Sequence, residues 1–290
     1  MSVPGAWVLG MDRKELAEAA FRLVGATAVE LTCDAPGHPA DHTCLPVPAD
    51  MSVDDLAGAL GTTFAGPYTP AHGSPPMPGG GDWADWTHAW LWDARTIALG
   101  RGPDGRTLLA VTARDVPDPD GFSADTPWPD RLVAITGGPV APSPAPDWAA
   151  VESRLGTPLP SDYKRLVEVF GCDGLFDEFF QVFDPAELLS YWGSFAGDAE
   201  AAGGLAGWPR PGGLIPWAGN EHHEVFWWIA EGPDPDRWPV YAVDETDEGT
   251  RFDCTATELL FRQMTDPEFP LTTTADHVTG HWFAKFNRRA

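Results

Sequence analysis

The chain has 290 residues, 43% hydrophobic and 21% charged, which is enough for two ordinary globular cores. Its 43 acidic side chains outnumber 18 basic ones, giving a net charge of −25; such a surface repels nucleic acid phosphates and anionic lipid and attracts a basic protein partner. The acidity is spread evenly, with 18 acidic and 8 basic residues in 1–140 and 25 and 10 in 141–290, so no like-charged run marks a disordered tail.

The first half, 1–136, reads as an α+β domain. Asp12 with Glu15 forms a capping pair, and Leu16, Ala20, Leu23 and Val24 follow on one helical face. A strand is expected over 27–33. Ser52 with Asp55 caps a second helix carrying Leu56 and Leu60, and Gly61 is expected to end it. Residues 67–82 are dense in Pro and Gly and read as loop. Strands are expected over 87–92, 96–100 and 107–113, with Pro103-Asp104-Gly105 as a turn, and a last strand over 131–136. Trp83, Trp86 and Trp90 run at roughly helical spacing and are compatible with one buried face.

Residues 137–146 are almost entirely Gly, Pro, Ala and Ser and read as an extended spacer, which places a domain boundary there and a second domain over 147–290. In that second part Asp147 caps a helix with Trp148, Val151 and Leu155 on one side, and Gly156 ends it. Ser161 is expected to cap the next helix, with Tyr163, Leu166, Val167 and Phe170 facing inward and Gly171 at its end. A strand over 179–183 precedes the helix signal Asp184-Pro185-Ala186-Glu187. Four strands are expected over 213–217, 225–230, 240–243 and 250–253, and Thr255 with Glu258 opens a closing helix. Helices, sequential strands, then a helix imply an α+β fold, a mainly antiparallel sheet with helices packed on it.

Several separated blocks of this second part resemble the SUKH superfamily, the Smi/Knr-type domains best known as bacterial toxin-immunity proteins. The opening block is Trp148-x-x-Val151-Glu152-x-x-Leu155-Gly156-x-x-Leu159-Pro160-x-x-Tyr163-Lys164-x-Leu166, followed by Phe170-Gly171-x-x-Gly174. Leu214-Ile215-Pro216-Trp217, Phe226-Trp227-Trp228, Trp238-Pro239-Val240 and Glu258-Leu259-Leu260 follow in order, so the resemblance covers 147–266. It implies a compact α+β domain that binds a protein, such as a cognate, often nuclease-type toxin, in competition between bacteria. It supplies no catalytic residue. The blocks themselves read as scaffold: apolar helix faces, a Leu-Pro turn and left-handed glycine ends.

Chemistry-bearing motifs are sparse. Cys33-x4-His38-x3-His42-x-Cys44 gathers two sulfurs and two imidazoles in one short stretch. It lacks the C-x2-C knuckle and a helical His pair, and Pro39 between the histidines argues for loop. The run is therefore read as a polar loop, with these four residues kept only as metal-ligand candidates and no metal or cofactor expected. Glu221-His222-His223-Glu224 lacks the i, i+4 histidines of a metalloprotease helix and reads as a solvated loop. His277 and His281 read as tail residues. No nucleophile elbow or phosphate loop is present in the sequence.

The expected function is non-catalytic binding of a basic toxin domain in the cytoplasm, because no secretory or membrane-spanning stretch is present and the four cysteines form no disulfide framework. The binding residues are expected in two acidic loop clusters: Asp173, Asp177 and Glu178, and Asp244, Glu245, Asp247 and Glu248. An intracellular scaffold, or a hydrolase in the first half, are the alternative readings.

Overall fold

The computed structural model describes residues 11–25, 30–38, 41–69, 83–138, 144–191, 193, 204–243 and 248–286. The chain is α+β, and its contacts divide it into two compact units, Met1–Val116 with Gly280–Ala290, and Pro117–Thr279.

In the first unit, Asp12 opens α1 (Arg13–Val24) with a full capping box. Its Oδ1 accepts the Lys14 and Glu15 N–H groups, and the Glu15 carboxylate accepts the Asp12 N–H at 2.8 Å. A cap of this kind contributes about 1 kcal/mol. Ser52 caps α2 (Val53–Phe64). That helix continues past Gly61, because Phe64 completes the buried stripe of Val53, Leu56 and Leu60. Burying a Phe side chain is worth about 1.5–3 kcal/mol, more than the roughly 1 kcal/mol that an internal Gly costs.

Four strands form one antiparallel sheet: β1 (His42–Leu45), β2 (Asp85–Trp92), β3 (Arg95–Arg101) and β4 (Thr107–Ala113), in the order β1-β4-β3-β2. One core joins residues of α1 and α2 to Trp90, Ile97, Leu99, Leu109 and Val111. Strand alternation sends Trp86, Ala98 and Ala110 into a second, smaller cluster, with Trp83 and Cys44 packed against it. A bulge between Trp86 and His88 shifts the β2 register. It assigns Trp86 and Trp90 to different clusters, so the tryptophan spacing is neither a helix nor one face. Gly100 permits the close approach beside the bulge: a Cβ there would lie 2.2 Å from the Asp85 carbonyl oxygen.

Two expectations for this unit are corrected. Residues 30–33 form no strand, and 26–29 lie outside the described residues; the edge strand is β1 instead. The end of the chain also belongs here rather than to 147–290. Trp282 stacks on Trp92 with ring centroids 5.0 Å apart, and the Gly280 N–H donates to Asp93 Oδ1 at 2.7 Å. His281, expected in a tail, is buried. Nothing local in the sequence announces such a return.

The second unit begins before the Pro-rich spacer. The strand expected over 131–136 is a helix, α3 (Trp128–Thr136), with Leu132, Ile135 and Thr136 buried at helical spacing and Gly137 in the left-handed region at its end. Arg131 lies 4.1 Å from the Trp128 ring centroid, and Trp128 packs against Phe261 at 5.4 Å. This packing moves the division of the chain from 137–146 to Val116/Pro117. Residues 139–143 lie outside the described residues.

Next come α4 (Trp148–Leu155) and α5 (Ser161–Phe170), then β5 (Gly174–Phe176), β6 (Phe180–Val182), β7 (Leu214–Asn220), β8 (Val225–Ile229), β9 (Val240–Val243), β10 (Gly249–Phe252) and α6 (Ala256–Thr265). The strands are ordered β10-β9-β8-β7-β6-β5, each antiparallel to its neighbour. Ser161 is the first residue of α5 rather than its cap; Pro160 takes the cap position, and Asp236 Oδ1 accepts the Ser161 N–H at 2.5 Å. The Asp184 signal opens a 3-10 turn, Pro185–Glu187.

Tyr163 joins helix to sheet: its ring meets Trp228 edge-on at 4.8 Å, and its hydroxyl donates to the Phe183 carbonyl at 2.8 Å. Asp162 Oδ2 accepts both the N–H and the hydroxyl of Thr257, at 3.0 and 2.8 Å, fixing α5 against the start of α6. Trp217, Phe226, Trp227 and Trp228 are fully buried, so the aromatic strand blocks of the sequence are core.

Candidate functional site

The turn between α4 and α5 shows what the first block of the resemblance does physically. Gly156 ends α4 in the left-handed region at φ 79°. Glu152 Oε1 then accepts the Leu159 N–H at 2.9 Å and the Lys164 ammonium at 2.5 Å. Burial alone would raise the Glu152 carboxyl. The Lys164 hydrogen bond and charge and the Leu159 N–H outweigh it and hold the group below the usual carboxylate range. Glu152 and Lys164 therefore clamp the helix hairpin, a structural use.

The acidic loop residues divide. Asp177 and Glu178 lie between β5 and β6, where both adopt positive φ, 52° and 55°. Asp177 is buried, and its Oδ2 accepts the Thr274 hydroxyl at 2.7 Å. It is thus a corrected assignment: a carboxylate spent on fixing the turn to the segment after α6, not one offered on a surface. Glu178 is exposed outside the same turn, and partial desolvation raises its carboxyl. Asp173, between α5 and β5, is half-buried. Of the second cluster Glu248 is exposed beside β10, while Asp244, Glu245 and Asp247 lie outside the described residues. β10 pairs with β9 from Gly249 opposite Val243 and lies at one edge of this unit's sheet.

A buried carboxylate escaped the sequence reading. In the Glu221–Glu224 run the first three residues are exposed, but Glu224 is only 3% exposed. Its Oε2 accepts from Asn220 Nδ2 at 2.5 Å and Gln263 Nε2 at 3.3 Å. Its Oε1 accepts from the Thr272 N–H at 3.1 Å and hydroxyl at 2.9 Å. Four donors satisfy it, so it ties the β7–β8 turn to α6 and the segment after it. The open groove beside it, about 440 Å³, is lined by Phe179, Gln181, Phe183, Asn220, Glu221 and His223 among others, and no Ser, Thr, Cys or Lys is among its lining residues.

The first unit holds the one group of potential metal ligands found among the described residues. Cys33, His38, His42 and Cys44 converge, each offering one ligand atom, and all four atoms lie within 4.8 Å of one another. His42 and Cys44, two apart on β1, project to the same side, and His42 is fully buried. Cys33 and His38 come from the segment before the strand. A turn whose His38 N–H donates to the Ala35 carbonyl at 3.3 Å, with Gly37 at φ 81°, folds that segment back. His38 Nδ1 lies 3.4 Å from Cys33 Sγ, 3.3 Å from His42 Nε2 and 3.4 Å from Cys44 Sγ. The Trp83 ring covers both imidazoles, at 4.5 and 4.8 Å. Burial pushes the Cys44 thiol up to about 12, and neighbouring Cys33 adds to the shift. The sequence named these four residues as metal-ligand candidates but favoured a polar loop, since the spacing fits no common zinc pattern; in the fold all four come together.

Fold and sites together define a two-unit α+β protein with a helix-clamped antiparallel sheet and a Cys2His2 cluster in the other unit. No family model, curated protein or solved structure matches the chain.

Proposed function

We propose that this chain is a non-catalytic, immunity-type binding protein whose second unit neutralises a cognate bacterial toxin in the cytoplasm by direct contact. The observation that carries the reading is the order of parts in that unit: a helix hairpin clamped by Glu152 and Lys164, an antiparallel meander with an aromatic centre, and a closing helix. This is the order that the SUKH resemblance implies. The −25 net charge supports a basic target, because opposite charge speeds encounter and orients it. The exposed carboxylates Glu178 and Glu248, with Asp244, Glu245 and Asp247, are the groups proposed to meet that target, and Asp177 is not among them. No described helix is long and apolar enough to cross a membrane, which accords with action inside the cell.

The test is growth rescue. The product of the gene neighbouring this chain's is tested as the candidate toxin, expressed from an inducible promoter with and without the chain. Rescue accompanied by a one-to-one complex on gel filtration is expected. Continued toxicity with both proteins soluble and no complex would overturn the proposal.

A further inference from the structure

We propose that Cys33, His38, His42 and Cys44 bind one zinc ion, which staples the segment before β1 to that edge strand. The proposal concerns the first unit and stands apart from the toxin-binding reading.

The distances carry it. An imidazole Nδ1 has a single in-plane position, either one lone pair or one hydrogen, so it serves one hydrogen bond well. His38 Nδ1 instead has three polar neighbours, all at 3.3–3.4 Å. Three near-equal separations from one atom are what a vertex of a tetrahedron has. With zinc–sulfur bonds of about 2.3 Å and zinc–nitrogen bonds of about 2.0–2.1 Å, the edges of such a tetrahedron come to about 3.3–3.8 Å. Three of the six separations already fall at about that spacing, and all four ligand atoms lie within 4.8 Å of one another, so side-chain adjustments of about 1 Å would close them around one ion.

The donor set selects the metal. Two sulfurs and two imidazole nitrogens in tetrahedral array suit zinc and not magnesium or calcium, which require oxygen. Four protein ligands close the coordination shell and leave no position for water, so the site is structural and does not generate a metal-bound hydroxide. Its place in the fold gives it work. Within the sheet of this unit β1 pairs only with β4, and the segment 30–38 has no regular structure. Zinc would close this stretch into a loop of twelve residues, Cys33 to Cys44, and hold Trp83 over the sheet beside Trp86. An edge strand secured in this way is less open to pairing with another chain.

The full-length protein is purified without added metal and its zinc measured by elemental analysis. It is then stripped with a chelator under reducing conditions and titrated with cobalt(II). One zinc per chain is expected. Cobalt should give the intense visible bands of a tetrahedral ion and a thiolate charge-transfer band, saturating at one equivalent and abolished by one equivalent of zinc. The Cys33→Ser/Cys44→Ser variant should lose these bands, and Cys172→Ser/Cys254→Ser should keep them. Amide exchange across 30–45 should quicken at least about tenfold on stripping. The wild-type titration needs no substitution, so a variant that misfolds does not blunt the test. Absence of tetrahedral bands at one equivalent would overturn the proposal. So would a metal-free protein in which two of the four thiols, those of Cys33 and Cys44, are joined as a disulfide.

Discussion

Replacing Glu152 tests whether the signature block of the second unit is a clamp or a surface. Its carboxylate receives two hydrogen bonds, from Lys164 Nζ at 2.5 Å and the Leu159 N–H at 2.9 Å. The Glu152 and Lys164 side chains are only 24% and 26% exposed. Hydrogen bonds involving a charged group contribute about 1.5–3 kcal/mol each, and an exposed ion pair about 0–1 kcal/mol. For this partly buried pair the Glu152→Ala loss is expected at about 2–3 kcal/mol. Glu152→Gln keeps an acceptor for Leu159 and should lose about 1 kcal/mol. The sign of the pH dependence follows from the lowered folded-state pKa. The stabilisation is fully present above the unfolded carboxylate value and is lost as pH falls through the folded value. The gap between wild type and Glu152→Gln should therefore close below about pH 4. Urea titrations of the full chain at neutral and acid pH measure it, and hydrogen exchange across 156–164 localises it. A Glu152→Ala protein within about 0.5 kcal/mol of wild type would refute the clamp. So would a Gln variant whose deficit is the same at acid pH.

Asp177→Ala should destabilise by about 3 kcal/mol, from the lost Thr274 bond and from alanine's strain at positive φ. Asp177→Asn, which tolerates that backbone and still accepts a hydrogen bond, should cost about 1 kcal/mol; equal losses would contradict this account of the turn. Trp282→Ala should weaken the first unit by about 3–5 kcal/mol. Hydrogen exchange should then quicken around β2 and α2 while α5 stays protected, and faster exchange confined to α5 and the sheet of the second unit would return the chain end to that unit.

Local signals were legible where a local rule decides the structure. The Asp12 and Thr255 caps, β4 and the glycine-ended α4 lie where the sequence puts them. So does the antiparallel order of the later strands. The misreadings come where tertiary packing decides. Residues 131–136 look like a strand by composition, but flanking prolines and burial against Phe261 make them α3. Gly61 looks like a helix end until Phe64 supplies a buried contact beyond it. Asp177 and Glu224 look like solvated carboxylates, yet each is buried by hydrogen bonds to the far-off residues Thr274 and Thr272. The Cys33–Cys44 convergence depends on positive φ at Gly37 and Asp41 turning the chain back into β1, which ligand spacing alone does not reveal.

Association kinetics with the toxin domain that the chain rescues cells from test the central proposal most directly. The chain and a variant carrying Asp244→Asn, Glu245→Gln, Asp247→Asn and Glu248→Gln are compared at low and high salt. The account predicts association for the wild type that slows by about tenfold or more with added salt, and a variant that is slower, less salt-dependent and still folded. Binding with the same rate and salt dependence in both proteins would place the interface elsewhere. No binding by either protein would contradict the proposed function itself.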